Sequence, residues 1–290
     1  MSTTKDVEDS LEHKIRQREA AATNGQQYPL ELRPIRNPHA RPAGVIPNTP
    51  LSVATISFLL GITFALGFLT FVVGGFQRFW WSTYQFGFYM AAWAFFHWGE
   101  FAVTAGWNLE KCSVDSFLLE NGSMYHIAHS SAIIEYLVTI AFAPSIKQYH
   151  YVTVIGNEFA APSCQKSLLT EDFPGILLVI VGQTLRSTAM IHAATSFSHS
   201  VQFRKLETHT LVTSGVYGYS RHPSYAGFFY WALGTQLVLQ NPLNFVFFAI
   251  TLWKFFSERI GPEETALVQF FGQDYVDYRK RVGTGIPFIQ

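Results

Sequence analysis

Residues Leu51–Gly75 form a run of 25 amino acids without one charged side chain. A bilayer core of about 30 Å needs about 20 helical residues to cross it. Inside lipid every backbone N–H and C=O must be paired within the protein, so a segment like this is constrained to a helix. Five more apolar segments follow. Tyr84–Ala105 is interrupted by His97 and Glu100, and one running from Tyr125 past Phe142 contains His126, His129 and Glu135. Phe173–Phe197 is broken by Arg186, while Tyr225–Gln240 and Leu243–Phe256 meet at Asn241-Pro242. The last two are short and predict a tilted C-terminal helical hairpin. The expected fold is therefore all-α and membrane-integral, with about six transmembrane helices divided as 51–172 and 173–290. Residues 144–172 could extend the third helix, re-enter or lie at the interface.

Charge is scarce and uneven. Charged residues make up 14% of the chain, against about 25% in a soluble domain. Residues 1–50 hold 13 of the 40 charges and six of the 13 prolines. Such a segment buries too little apolar area to offset its ordering entropy, which predicts a disordered tail over 1–50. Zero net charge and no basic block argue against nucleic-acid binding. Two cysteines, Cys112 and Cys164, exclude a disulfide framework and a Cys-rich zinc site. The first 20 residues show no cleavable signal. With six crossings, 16 of the 20 Lys/Arg fall on the side of the termini and only Arg78, Lys147 and Lys166 on the other. That bias places both termini in the cytosol, and the sequon at Asn121 is then expected to stay unglycosylated.

Ionisable groups inside spans are costly and point to function or to interhelical pairing. Arg186 could meet an anionic head group or snorkel to the interface. His97, Glu100, His126, His129 and Glu135 fit an interhelical hydrogen-bond network better than a metal site. The densest polar feature is residues 197–225, which hold turn residues, His199, His209, His222 and several tyrosines before a helix that begins at Pro223. A proline there suits a first helical turn, next to N–H groups open to an anion. A second charged element, Glu258 to Glu264, follows the hairpin. The hairpin returns it to the same side, so Arg259 and Glu263 could face Tyr217 and His222 across one pocket. Arg259 would suit a carboxylate, and Glu263 an ammonium or a ribose.

These residues carry a resemblance. The string RHPSYAGFFYWALGTQLVLQNP, with ER and EE downstream and then FFGQDYVDYRKR and GIPFI, closely resembles the protein-S-isoprenylcysteine O-methyltransferases. HTLVTSGVY narrows the match from the wider group that includes phospholipid methyltransferases, and FHWGE and DSFLLENG are weaker echoes of the same family. Six spans look like the shorter, fungal-type layout. The resemblance implies methyl transfer from S-adenosyl-L-methionine to the carboxylate of a C-terminal prenylcysteine, leaving S-adenosyl-L-homocysteine, with no metal. It implies a cytosolic cofactor-binding loop and helix cap with Gln202, His209, Thr210, Leu211, Val212, Tyr217, His222, Pro223, Ser224, Tyr225 and Glu263 at the cofactor. Glu264 is the substitute if Glu263 points away. Arg259 is expected at the substrate carboxylate, and Arg186 matches a second family arginine. The implied partners are CaaX-processed proteins ending in farnesyl- or geranylgeranyl-cysteine, in the endoplasmic reticulum membrane. Homodimer formation is compatible with the pattern. A sterol reductase would need more basic residues than Arg204, Lys205 and Arg221 for its NADPH phosphate, and a transporter would need an inverted repeat that is not visible.

Overall fold

A computed structural model describes residues 46–76, 79–143, 173–202, 204–205 and 209–290. Residues 1–45 of the expected tail and the ambiguous stretch 144–172 lie outside the described residues. The regular structure is helical: α1 (Pro50–Val72), α2 (Tyr84–Trp107), α3 (Ser123–Phe142), α4 (Phe173–Ala193), α5 (Pro223–Val238), α6 (Pro242–Phe271) and α7 (Gln273–Arg281). Short 3₁₀ turns join several of them.

Helix starts follow local chemistry. Thr49 caps α1 by accepting from the Ser52 N–H at 3.1 Å, and Pro50 occupies the first turn. A proline there loses no helical hydrogen bond. Residues just before Pro50, inside the expected tail, also make defined contacts. Asn48 Oδ1 accepts from the Val114 N–H at 3.0 Å, and Ile46 packs beside Leu60 and Phe117. Pro223 and Pro242 open α5 and α6 in the same way. α6 lacks a cap of its own, and Glu135 of α3 supplies one. Its two oxygens accept from the Leu243 N–H at 3.0 Å and the Asn244 N–H at 2.7 Å. A carboxylate is favourable there because the first-turn N–H groups carry partial positive charge.

The sixth apolar segment, read from sequence as Leu243–Phe256, continues into one 30-residue helix, α6, with Pro262 inside it. At 1.5 Å per residue α6 is about 45 Å long, longer than the roughly 30 Å core of a bilayer. Gly272, at φ 58°, ends it in a conformation that a side chain would resist.

Packing differs along the chain. α1 buries only Leu60 and Gly67 and exposes Phe58, Leu66 and Phe68. α1 and α4 are long and apolar enough to cross a membrane. α5 is central: Trp231 is fully buried and stacks on Phe96 of α2 with ring centroids 4.5 Å apart. α4 and α5 approach at small residues. A Cβ on Gly182 would lie 2.5 Å from the Trp231 nitrogen, and one on Gly227 would lie 2.7 Å from the Arg186 nitrogen. Such contact lets dispersion act between backbones where the hydrophobic effect is absent. Two of the residues expected in a polar network, His97 and His129, bond to neighbouring groups. His97 Nδ1 donates to the Phe117 carbonyl at 2.6 Å and its Nε2 is 2.6 Å from the Tyr125 hydroxyl. Tyr89 Oη lies 2.8 Å from His129 Nδ1.

Candidate active site

The site is assembled where α4 ends, α5 begins and α6 emerges. After the 3₁₀ turn Ala194–Ser196, the chain is fastened to the loop beyond α2. Lys111 Nζ donates to the carbonyls of Thr195 and Phe197 at 2.7 and 2.8 Å, and Asn108 Nδ2 donates to Phe197 O at 2.9 Å. The chain returns past Thr210, whose N–H donates to Ser196 Oγ at 3.2 Å, through a second 3₁₀ turn at Gly215–Gly218. Tyr278 Oη of α7 donates to the Tyr217 carbonyl at 2.6 Å.

Below this cover lies an open cavity of about 700 Å³. Nine of the eleven residues expected at a cofactor line it: Thr210, Leu211, Val212, Tyr217, His222, Pro223, Ser224, Tyr225 and Glu263. Gln202 and His209 do not. Gln202 instead donates to Ser198 Oγ at 2.9 Å and to Ser200. The sequence reading missed Leu267, Phe271, Tyr275 and Tyr278, which complete the wall. Their signal was the helical spacing of apolar residues after Glu263, which reads as ordinary packing.

The two adjacent glutamates separate cleanly. Glu263 lines the cavity and accepts from Tyr225 Oη through Oε2 at 2.6 Å. Glu264 points the other way and is buried. It accepts from Arg221 Nε at 3.0 Å, His222 Nε2 at 2.7 Å and Tyr275 Oη at 2.8 Å. Burial raises its pKa, but the bonds from His222, Tyr275 and Arg221 outweigh burial and hold the carboxyl down at about 2. Arg221 also donates to the carbonyls of Arg279 and Val282, and its N–H to Gly283 O at 2.8 Å. Arg221 and Glu264 thus clamp the C-terminal segment against the start of α5.

A second cavity, about 440 Å³, adjoins the first and shares Phe197, Ser198 and Tyr225 with it. Arg259, Arg186, His199 and Asn121 are its polar lining, and Leu118, Phe228, Phe255 and Phe256 its apolar lining. The two arginines differ. Arg186 is locked to Glu100, with Nε to Oε1 at 2.5 Å and Nη2 to Oε2 at 2.7 Å, and donates through Nη1 to Ser224 Oγ at 3.0 Å. Neither reading of Arg186 from sequence included this partner: α2 supplies its counter-charge while the residue still lines the cavity. Arg259 has no carboxylate at ion-pair distance among the described residues. Its Nε donates to Tyr225 Oη at 2.8 Å and its Nη2 to the His199 carbonyl. His199 Nε2 lies 3.3 Å from Glu100 Oε2. Burial, together with nearby Arg186, Arg259 and Lys111, lowers its pKa to about 4 against the pull of Glu100. It is neutral at pH 7 and adds no charge of its own.

The chain was compared with known proteins. Residues 175–269 match the model of the isoprenylcysteine carboxyl methyltransferase (ICMT) family. The protein-S-isoprenylcysteine O-methyltransferase of Saccharomyces cerevisiae is 44% identical over 245 residues, covering 84% of this chain and 94% of that one. The Homo sapiens protein of the same name is 41% identical over 238 residues, covering 82% and 75%. A solved structure of a eukaryotic intramembrane Ras methyltransferase, ICMT, superposes with a TM-score of 0.71 at 37% identity, over 82% of this chain and 77% of that one. With this identity across most of its length, the chain belongs to the isoprenylcysteine carboxyl methyltransferase family of integral membrane enzymes.

Proposed function

We propose that this enzyme uses S-adenosyl-L-methionine, held in the larger cavity, to esterify the α-carboxylate of a prenylcysteine held in the smaller one. One observation carries the reading: the two cavities share a wall at Tyr225, with the Glu263 carboxylate on one side and, on the other, Arg259, which has no ionic partner among the described residues. The larger cavity fits a cofactor of mixed character. Leu211, Val212, Leu267 and Phe271 offer apolar surface, and Glu263 keeps its Oε1 for an ammonium or a ribose. When bound, S-adenosyl-L-methionine supplies a methyl group on a sulfonium, which is a good leaving group.

Little else is required of the protein. A carboxylate is already a nucleophile, so no side chain need remove a proton. Positioning is the main source of rate. Arg259 orients the carboxylate, and its bonds to Tyr225 and the His199 carbonyl moderate its grip. A tighter ground-state hold would slow the transfer. Leu118, Phe228, Phe255 and Phe256 give the prenyl chain apolar contact, worth about 0.8 kcal/mol per buried methylene. On this reading Arg259 is catalytic and Arg186 is structural. Six crossings, cytosolic termini, a catalytic region at 173–290 and residence in the endoplasmic reticulum complete it. Farnesyl- and geranylgeranyl-cysteine are the acceptors it implies.

The test is methyl transfer in membranes containing the chain, with labelled S-adenosyl-L-methionine and either N-acetyl-S-farnesylcysteine or phosphatidylethanolamine. Base-labile label on the farnesylcysteine is expected. Label confined to the phospholipid would discard the acceptor assignment.

A further inference from the structure

Arg259 and Glu263 stand four residues apart on α6, where a guanidinium and a carboxylate on one helix face ordinarily meet. No ion pair joins them, although Lys254 and Glu258 pair at the same spacing at 3.9 Å. The hydroxyl of Tyr225, from α5, stands between them. It accepts from Arg259 Nε at 2.8 Å and donates to Glu263 Oε2 at 2.6 Å. A phenol can do both at once because it has one O–H and free lone pairs. Its ring is fixed by Phe256, with centroids 5.1 Å apart, and by His222 at 5.5 Å, and the Arg259 guanidinium lies over its face at 5.3 Å.

We propose that Tyr225 is a positioning residue whose hydroxyl holds Arg259 and Glu263 apart. One charge then serves each cavity: the carboxylate faces the cofactor, and the guanidinium faces the acceptor. This rests on the assignment of the two cavities under Proposed function. Removing the hydroxyl takes the donor from Glu263 Oε2 and the acceptor from Arg259 Nε, leaving Arg259 its bond to the His199 carbonyl. The two then pair directly, and each is withdrawn from its cavity although neither has been changed.

The experiment compares wild type, Tyr225→Phe, Glu263→Gln and the double variant, purified in detergent and matched for elution and thermal unfolding. S-adenosyl-L-homocysteine affinity is measured directly, and KM for N-acetyl-S-farnesylcysteine is measured at saturating donor. Tyr225→Phe should raise that KM roughly 10-fold and weaken S-adenosyl-L-homocysteine binding by a similar factor. In the Glu263→Gln background, where no carboxylate can capture Arg259, adding Tyr225→Phe should change the acceptor KM less than about 2-fold. If the KM rise persists in that background, or if Tyr225→Phe lowers only kcat, the spacer role is wrong. Should Tyr225→Phe fail to fold, Glu263→Gln alone decides: acceptor KM near wild type supports the proposal, and a 10-fold rise overturns it. Failure of the wild type itself to bind S-adenosyl-L-homocysteine would instead overturn the cavity assignment.

Discussion

Arg186 and Arg259 line the same cavity, yet their surroundings give them different work. The Arg186 side chain is 9% exposed and that of Glu100 1%, and two hydrogen bonds join them. The cation is cancelled by α2 and stacked between Phe96 and Phe228. Arg259 lies over Tyr225 and Phe255 in a similar way, but only a hydroxyl and a carbonyl satisfy it. A buried arginine with its own carboxylate holds helices together. On the proposed function, one left with neutral acceptors keeps its charge for a ligand. The residue type is identical, and the partner decides.

The comparison breaks most directly on turnover. Arg259→Ala should lower kcat/KM roughly 1,000-fold, the scale of truncating one partner of a desolvated charge pair, with thermal unfolding little changed. A wild-type rate would erase the distinction. Next comes the sealed pair. Glu100→Ala should destabilise the protein by about 3 kcal/mol or more, because it strands the Arg186 charge in the interior. Adding Arg186→Met should recover much of that loss, as read by unfolding in detergent. Gly227→Val probes the close approach that brings Arg186 to Ser224. Its branched side chain would crowd the Arg186 backbone at a cost of about 1–3 kcal/mol. The other buried Arg–Glu pair among the described residues, Arg221–Glu264, sharpens the contrast through pH. The Glu264 pKa is depressed from 4.5 to about 2. Its stabilising contribution is fully present above the usual carboxylate pKa and disappears as pH falls through about 2. Glu264→Gln should therefore flatten the loss of stability between pH 5 and pH 2, as read by unfolding across that range. The smallest effect is expected for Glu135→Gln, which weakens the borrowed cap of α6 by about 1 kcal/mol.

Much of this molecule was legible in its sequence. Long uncharged segments can only be helices in lipid, so the all-α class and most helix positions followed from Leu51–Gly75 and its successors. Pro223, Pro242 and Gly272 mark helix ends because their backbone restrictions are local. Nine of eleven expected cofactor residues meet at one cavity because most lie close together in the chain, before or within the first turn of α5. The pairing of charges was not legible. Arg186 and Glu100 are 86 residues apart, and no local rule tells α4 which face of α2 it will meet. Nor does spacing reveal that Tyr225 enters between Arg259 and Glu263, since i, i+4 geometry alone argues for a direct bond. Local sequence determined where most helices begin, because capping, propensity and hydropathy act over a few turns. Tertiary packing decided which charges are cancelled and which are presented, because a charge's role depends on partners brought together from distant helices.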